Sequence, residues 1–444
     1  MIQTFQDYTR CPEEILRVWP PQEFADSPGF FEWEGLKLYG SSLAHNSVDK
    51  TETSNTRVPP FSVDEVIDNL RLERYIDNSI GEAGRSLSAK RLVRNAYYAL
   101  RPLMPVAFRK HLQRIALRGW DKRSFPAFPV DVTVEQLVNS VWKTLFDLHG
   151  KTEFPFVWFW PEGYDACCIM THDVETAAGR DFCSEIMKAE LPHRIGSSFE
   201  IIPEDRYEVP AEFLDSIRSH GCEVCLHGLN HDGHLFDSEA MLRTRARKIA
   251  RYARQYGAVG FRSPVMYRNV DLFHYLSFFS YDMSVPNVAH LDPQPGGCCT
   301  VMPYFIGNIL ELPLTTTQDY PLHNVIREFS MDLWRIQLEK ILRHHGLASF
   351  IIHPDYTIAP KAMKLFRELL SFLESLRKEK NVWIPLPREV GQWWRNRKNM
   401  TLVNVDGQWR IEGPDADQAR IAYAVLSGNE VHYRIETEAH PVKT

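Results

Sequence analysis

From about residue 155 onward the chain alternates short apolar runs with amphipathic stretches. "ACCIM" (166–170) leads to His172, Asp173 and Glu175, "GSSFEII" (196–202) to a proline-containing loop, "CEVCL" (222–226) to His227, and "GAVGF" (257–261) to Arg262. "FFSY" (278–281) leads to Asp282, "NILELPL" (308–314) to Thr315, and "ASFII" (348–352) to His353, Pro354 and Asp355, while "VWIPL" (382–386) closes the series. Short apolar runs bounded by turn residues read as buried strands. Between them apolar positions recur at steps of three and four, as at Leu242, Ala246, Ile249, Ala253 and Tyr256, with Arg243, Arg247, Lys248 and Arg251 on the other side. Such alternation predicts an α/β protein built as a barrel-like βα repeat.

Outside this array the pattern changes. Residues 1–154 read as a mainly helical N-terminal region of unknown role, with an irregular segment at "SNTRVPPFS" before "VDEVIDNLRLERYI". Residues 396–444 read as a small β appendage: "TLVNV" and "QWRIE" flank Asp406 and Gly407, a hairpin turn signal, and "RIAYAVL" and "VHYRIE" flank "SGNE". Trp409 or Tyr433 could bind glycan there, although a structural cap is the simpler expectation. The barrel is expected over 155–395.

Composition narrows the function classes. With 444 residues, 44% hydrophobic and 24% charged, the chain has the makeup of an ordinary globular protein large enough for two or three domains. A formal net charge of -6 and the absence of a recognition motif argue against nucleic acid as a partner. The N-terminus lacks a basic stretch followed by an apolar core, and no apolar run approaches membrane-spanning length, so the expected location is the cytoplasm. Residues 101–122 mix Arg101, Arg109, Lys110, Arg114 and Arg118 with apolar residues at helical spacing. Contact with a membrane surface is one reading; the solvated face of a packed helix is the expected one. The eight cysteines include the adjacent pairs Cys167, Cys168 and Cys298, Cys299, which suit reduced buried thiols better than a disulfide framework. Cys222 and Cys225 form a CxxC that alternates inside a strand-like run with no second CxxC, so the spacing is only weak evidence for redox chemistry or zinc.

The candidate chemistry lies at the ends of the strands. Five of the eight runs end in an ionisable side chain, and in a βα barrel the C-terminal strand ends converge on one mouth. His227 and His231 in "HGLNH" are four apart, so a helical turn would set both imidazoles on one face, as a divalent metal needs. A carboxylate from the first strand end would complete a three-ligand site with positions left open. The second carboxylate would then be free as a general base. His353 could act as a general acid, positioned by Asp355 or another carboxylate, although each such residue taken singly is compatible with a satisfied histidine or a surface acid.

Taken in order, "THDVE", "HGLNH", "FRSPVMY", "YDMSVP" and "IIHPDY" resemble the five motifs of the polysaccharide deacetylases of the NodB-homology group, the carbohydrate esterase family that removes acetyl groups from sugars. The resemblance covers roughly residues 155 to 390. It implies a distorted (β/α) barrel of seven or eight strands and one divalent metal ion, with zinc the expected one. It also implies Asp173 as catalytic base, His227 and His231 as metal ligands, Arg262 as the holder of the base carboxylate, and His353 as acid. The spacing of Asp173, Val174 and Glu175 departs from the commoner pair of consecutive aspartates, so Glu175 enters as the inferred third ligand. His172, Tyr267, Asp282 and Asp355 are further candidates for substrate contact or orientation, and a backbone N–H near Tyr267 for holding an oxyanion. The implied substrate is an N-acetylated saccharide. Hydrolysis of a non-sugar C–N bond on the same barrel, and glycan binding by an inactive site, remain as alternatives.

Overall fold

The computed structural model describes residues 2–20, 27–42, 58–76, 115 and 117–436. The chain divides into two compact units, residues 1–70, 133–164 and 392–444 in one and residues 71–132 and 165–391 in the other.

The first unit differs from the three consecutive segments expected from the sequence. Besides the helices Gln3–Thr9, Val63–Arg71 and Thr133–His149, the N-terminal region contains a hairpin of β1 (Gly29–Trp33) and β2 (Leu36–Gly40). Its two-residue turn, Glu34 and Gly35, has φ of 48° and 78°, the left-handed pair that matches the twist of a tight hairpin. The expected barrel start at residue 155 falls inside β3 (Glu153–Val157). That strand pairs antiparallel with β15 (Ile421–Ser427), which in turn pairs with β16 (Glu430–Ile435). Ladder pairing thus places β3 with the C-terminal strands, and the remaining hairpin, β13 (Thr401–Val405) with β14 (Gln408–Glu412), stands as a separate two-stranded sheet. Tyr433 donates to Asn139 Oδ1 at 2.9 Å and packs its ring against Phe156, Trp158 and Phe159, a structural contact. Residues 101–114 and 116, carrying most of the candidate membrane-facing stretch, lie outside the described residues, among which no helix is long and apolar enough to cross a membrane.

The second unit is the distorted (β/α) barrel. All eight expected strands form: β4 (Ala166–Val174), β5 (Ser197–Ile201), β6 (Glu223–His227), β7 (Gly260–Arg262), β8 (Tyr281–Asp282), β10 (Ile309–Glu311), β11 (Leu347–Ile351) and β12 (Val382–Trp383). They run parallel in the order β11-β4-β5-β6-β7-β8-β10, with β12 beside the first residues of β4. The sequence reading missed β9 (Tyr304–Ile306), which pairs antiparallel with β10. Where a regular barrel would close by a ladder, side chains bridge instead. Thr315 Oγ1 donates to the carbonyl of Leu347 at 2.7 Å and accepts from Ser349 N at 2.9 Å, and Thr316 Oγ1 donates to the carbonyl of Ser349 at 2.7 Å. The apolar core lies between this sheet and the helices Ala177–Glu190, Glu239–Tyr256, Asp332–Arg343 and Pro360–Glu379. Leu242, Ala246, Ile249, Ala253 and Tyr256 are buried on the expected stripe. All eight cysteines are free and buried.

Candidate metal and catalytic centre

The site is built from the C-terminal ends of β4, β6, β7 and β11. Every residue of β4 is buried, so alternation decides which side chains meet the mouth. Thr171 and Asp173 share one face. His172 takes the other, where its Nε2 meets Glu190 Oε1 at 2.9 Å and its Nδ1 donates to the carbonyl of Ile352 at 2.8 Å. His172 therefore braces the barrel wall and does not reach the site.

Arg262, at the end of β7 and fully buried, fixes Asp173. Its Nη1 donates to Asp173 Oδ1 at 2.7 Å and to Thr171 Oγ1 at 2.8 Å, and its Nε to the carbonyl of Met283 at 3.0 Å. Asp173 Oδ2 is left facing the imidazoles, 3.6 Å from His227 Nε2 and 3.9 Å from His353 Nε2. Burial alone would raise the Asp173 carboxyl, but Arg262 and the neighbouring histidines bring it below the ordinary aspartate value. The carboxylate is thus kept charged although buried.

The histidine pair arises differently from the helical turn expected. His227 is the last residue of β6, and His231 sits four residues on in a loop at φ 55°, with ring centroids 5.0 Å apart. Gly228 makes the turn possible: at φ 66°, a Cβ there would lie 2.4 Å from Pro264 Cγ. His227 Nδ1 donates to the carbonyl of Arg262 at 3.2 Å, which leaves Nε2 with its lone pair toward the site. Burial first of all pushes the His227 imidazole down to about 4, the neutral form a metal requires. His231 is 3% exposed; its Nε2 faces Glu175 Oε1 at 3.2 Å, and its Nδ1 has no hydrogen-bond partner among the described residues. A buried imidazole left so costs free energy that a cation would recover. The ligand atoms of Glu175, His227 and His231 all lie within 4.8 Å of one another, a donor set of two imidazoles and one carboxylate that suits zinc. Burial would raise the Glu175 carboxyl, but His231 and the other imidazoles hold it well below its ordinary value.

His353 follows β11. Its Nε2 lies 3.9 Å from both Asp173 Oδ2 and Glu175 Oε1, and its Nδ1 donates to Asp319 Oδ1 at 2.6 Å. Burial would lower this imidazole, but Asp319 and the two carboxylates push it up to about 10.

Several expected residues act elsewhere. Asp355 does not position His353; its Oδ2 accepts from Glu175 N at 3.0 Å, and its Oδ1 from Thr176. Asp282 accepts from Ser284 N at 2.8 Å and Ser284 Oγ at 3.0 Å, and Ser284 Oγ in turn accepts from Ser263 N, so Asp282 supports the chain after Arg262 from behind. The Tyr267 amide is already engaged with the carbonyl of Pro264 at 3.2 Å, and that of Met266 with Ser263, because Val265 and Met266 adopt left-handed backbone in a tight turn. Neither of these two amides is therefore turned to the site. Asp319, Tyr356 and Glu200 were missed. Glu200 lies opposite Asp173 in the β4–β5 register, 3.5 Å from Arg262 Nη1, and burial pushes it up to about 8. A single acid inside the apolar run "GSSFEII" was its signal.

No known family model matches the chain, and no curated protein matches it. Solved structures do. It is similar to a structure assigned as a polysaccharide deacetylase from Mycobacterium smegmatis, at 17% identity and a TM-score of 0.41, over 54% of this chain and 93% of that one. It is also similar to Puue allantoinase, at 14% identity and a TM-score of 0.42, over 53% and 92% of the two chains. A family 4 carbohydrate esterase from Streptomyces lividans, in complex with acetate, is similar at 10% identity and a TM-score of 0.32, over 50% and 92%.

Proposed function

We propose that the protein is a metal-dependent hydrolase that removes acetyl groups from an N-acetylated saccharide. One observation carries the reading: at a single barrel mouth, the Glu175, His227 and His231 cluster is flanked by a carboxylate held by arginine, Asp173 with Arg262, and by an imidazole held by a carboxylate, His353 with Asp319. The order of the five sequence motifs supports it. Tyr320 and Tyr356, half-buried with rings 5.0 Å apart and Tyr356 5.0 Å from the His353 ring, supply an aromatic face suited to a sugar ring.

A divalent cation held by Glu175, His227 and His231, with zinc the expected ion, would supply a Lewis acid toward the acyl oxygen and an acidified water. Asp173 Oδ2 takes a proton from the attacking water, and Arg262 keeps Oδ1 in place so that the second oxygen points inward. His353 Nε2 gives its proton to the departing nitrogen, because an amine leaves poorly as its anion. Asp319 stabilises the imidazolium until that transfer. Water and the amide yield acetate and a free amino sugar.

Acetate release from a panel of N-acetyl and O-acetyl saccharides, with and without chelator, tests the reading. Chelator-sensitive release from N-acetyl sugars is expected, with near-stoichiometric metal by elemental analysis that His227→Ala or His231→Ala removes. Wild-type metal content in both variants, or release indifferent to chelator, would overturn it. Hydrolysis of cyclic amides alone would move the reading to a non-sugar C–N bond, and metal binding with no turnover on any substrate would move it to an inactive glycan-binding protein.

A further inference from the structure

Glu175 lies one residue past the end of β4, where ladder hydrogen bonds stop. It is nevertheless held on three sides, by consecutive residue pairs that follow the two strands flanking β4. After β5 come Arg206 and Tyr207: Arg206 Nε donates to the carbonyl of Glu175 at 3.1 Å, and Tyr207 Oη donates to the carbonyl of Val174 at 2.8 Å while accepting from Ile202 N at 2.9 Å. After β11 come Asp355 and Tyr356: Asp355 Oδ2 accepts from Glu175 N at 3.0 Å, and Tyr356 Oη donates to Glu175 Oε2 at 3.1 Å. The backbone N–H, the backbone carbonyl and one carboxylate oxygen of Glu175 are thus all engaged. Oε1 is the oxygen that faces His231 Nε2, at 3.2 Å.

Room for this arrangement is made by a glycine. A Cβ at Gly179, in the first turn of the helix Ala177–Glu190, would lie 2.2 Å from Asp355 Oδ2. Any larger residue there would push Asp355 off the Glu175 amide.

We infer that Arg206, Asp355 and Tyr356 are positioning residues that present Glu175 Oε1 to a divalent cation, with Tyr356 fixing the carboxylate rotamer. The inference rests on the metal-centre part of the proposed function. A carboxylate ligand on a strand end is free to rotate, and an outer hydrogen bond removes that freedom before the ion arrives; loss of such a bond costs about 10–100-fold in metal affinity. The same four-residue turn carries His353 and Tyr356, so one segment positions both the proton donor and the metal carboxylate.

The test is a double-mutant cycle on zinc affinity, measured by competition with a chromophoric chelator on the metal-free full-length protein. Tyr356→Phe keeps the ring and removes only the hydroxyl, so it should weaken zinc binding about tenfold. In a Glu175→Ala background the same change should have no further effect, because its target is gone. Should Tyr356→Phe not fold, Arg206→Ala carries the same cycle, and Gly179→Ala should weaken binding by displacing Asp355. Wild-type affinity in a folded Tyr356→Phe variant, or an equal loss in both backgrounds, would overturn the positioning role while leaving the metal centre standing. Failure of the wild-type protein to bind zinc or any other divalent ion would instead overturn the metal-dependent reading itself.

Discussion

Asp319 grips His353 twice, with Oδ1 2.6 Å from the imidazole Nδ1 and Oδ2 accepting from the His353 backbone N–H at 2.9 Å. Both residues are buried, so neither carboxylate oxygen is left to water. The pair fixes which ring nitrogen faces the mouth and keeps that ring charged.

Asp319→Asn should therefore pull His353 down from about 10 toward its ordinary 6.5. A general acid works only while protonated, so the alkaline limb of the activity profile should move to lower pH, with a loss of about tenfold or more at pH 8. Stability follows the same sign: a raised histidine contributes stability fully present below about pH 6.5 and lost as pH rises through about 10. Thermal melts of the metal-free variant should accordingly differ from wild type more at pH 7 than at pH 11. Unchanged profiles would remove Asp319 from the mechanism.

His353→Ala should leave metal content intact and slow amide substrates by about two to four orders of magnitude. Activated acetyl esters, whose leaving groups need little protonation, should be slowed far less. Parallel assays on an N-acetyl sugar and an aryl acetate check this, and equal losses on both would make His353 structural.

Asp173 and Glu175 are two residues apart on β4 and its extension, yet the structure gives them different partners, an arginine for one and His231 for the other. Asp173→Asn should bind zinc as wild type does and lose about two to four orders of magnitude in turnover. Glu175→Ala should weaken zinc binding itself. Calorimetric titration of both metal-free variants separates the roles, and zinc loss confined to Asp173→Asn would reverse them.

Gly228→Ala should damage the site through the backbone alone. The new Cβ would meet Pro264 Cγ at 2.4 Å and be strained at φ 66°, at a cost of at least about 1 kcal/mol. A lower melting temperature together with weaker zinc affinity is expected, partly restored by Pro264→Ala. A variant with wild-type affinity would show that the loop between His227 and His231 tolerates the shift.

Local pattern determined the eight barrel strands, because a buried parallel strand must be apolar on both faces and is therefore visible as a continuous run. It also singled out Asp173, Glu175, His227, Arg262 and His353, since an ionisable residue that ends such a run stands out against it. What it could not fix was pairing. β3 looks like any short apolar run, and only its ladder with β15 places it outside the barrel. Asp319 reaches His353 across 34 residues and Glu200 reaches Arg262 across 62, so neither partner can be read from the local sequence, even though Glu200 stands out as a lone acid in an apolar run. Likewise His172 stands beside Asp173 in sequence but faces the opposite side of the strand. Which carboxylate holds which imidazole is decided by the curl of the sheet, because hydrogen bonds depend on distances that a one-dimensional pattern does not contain.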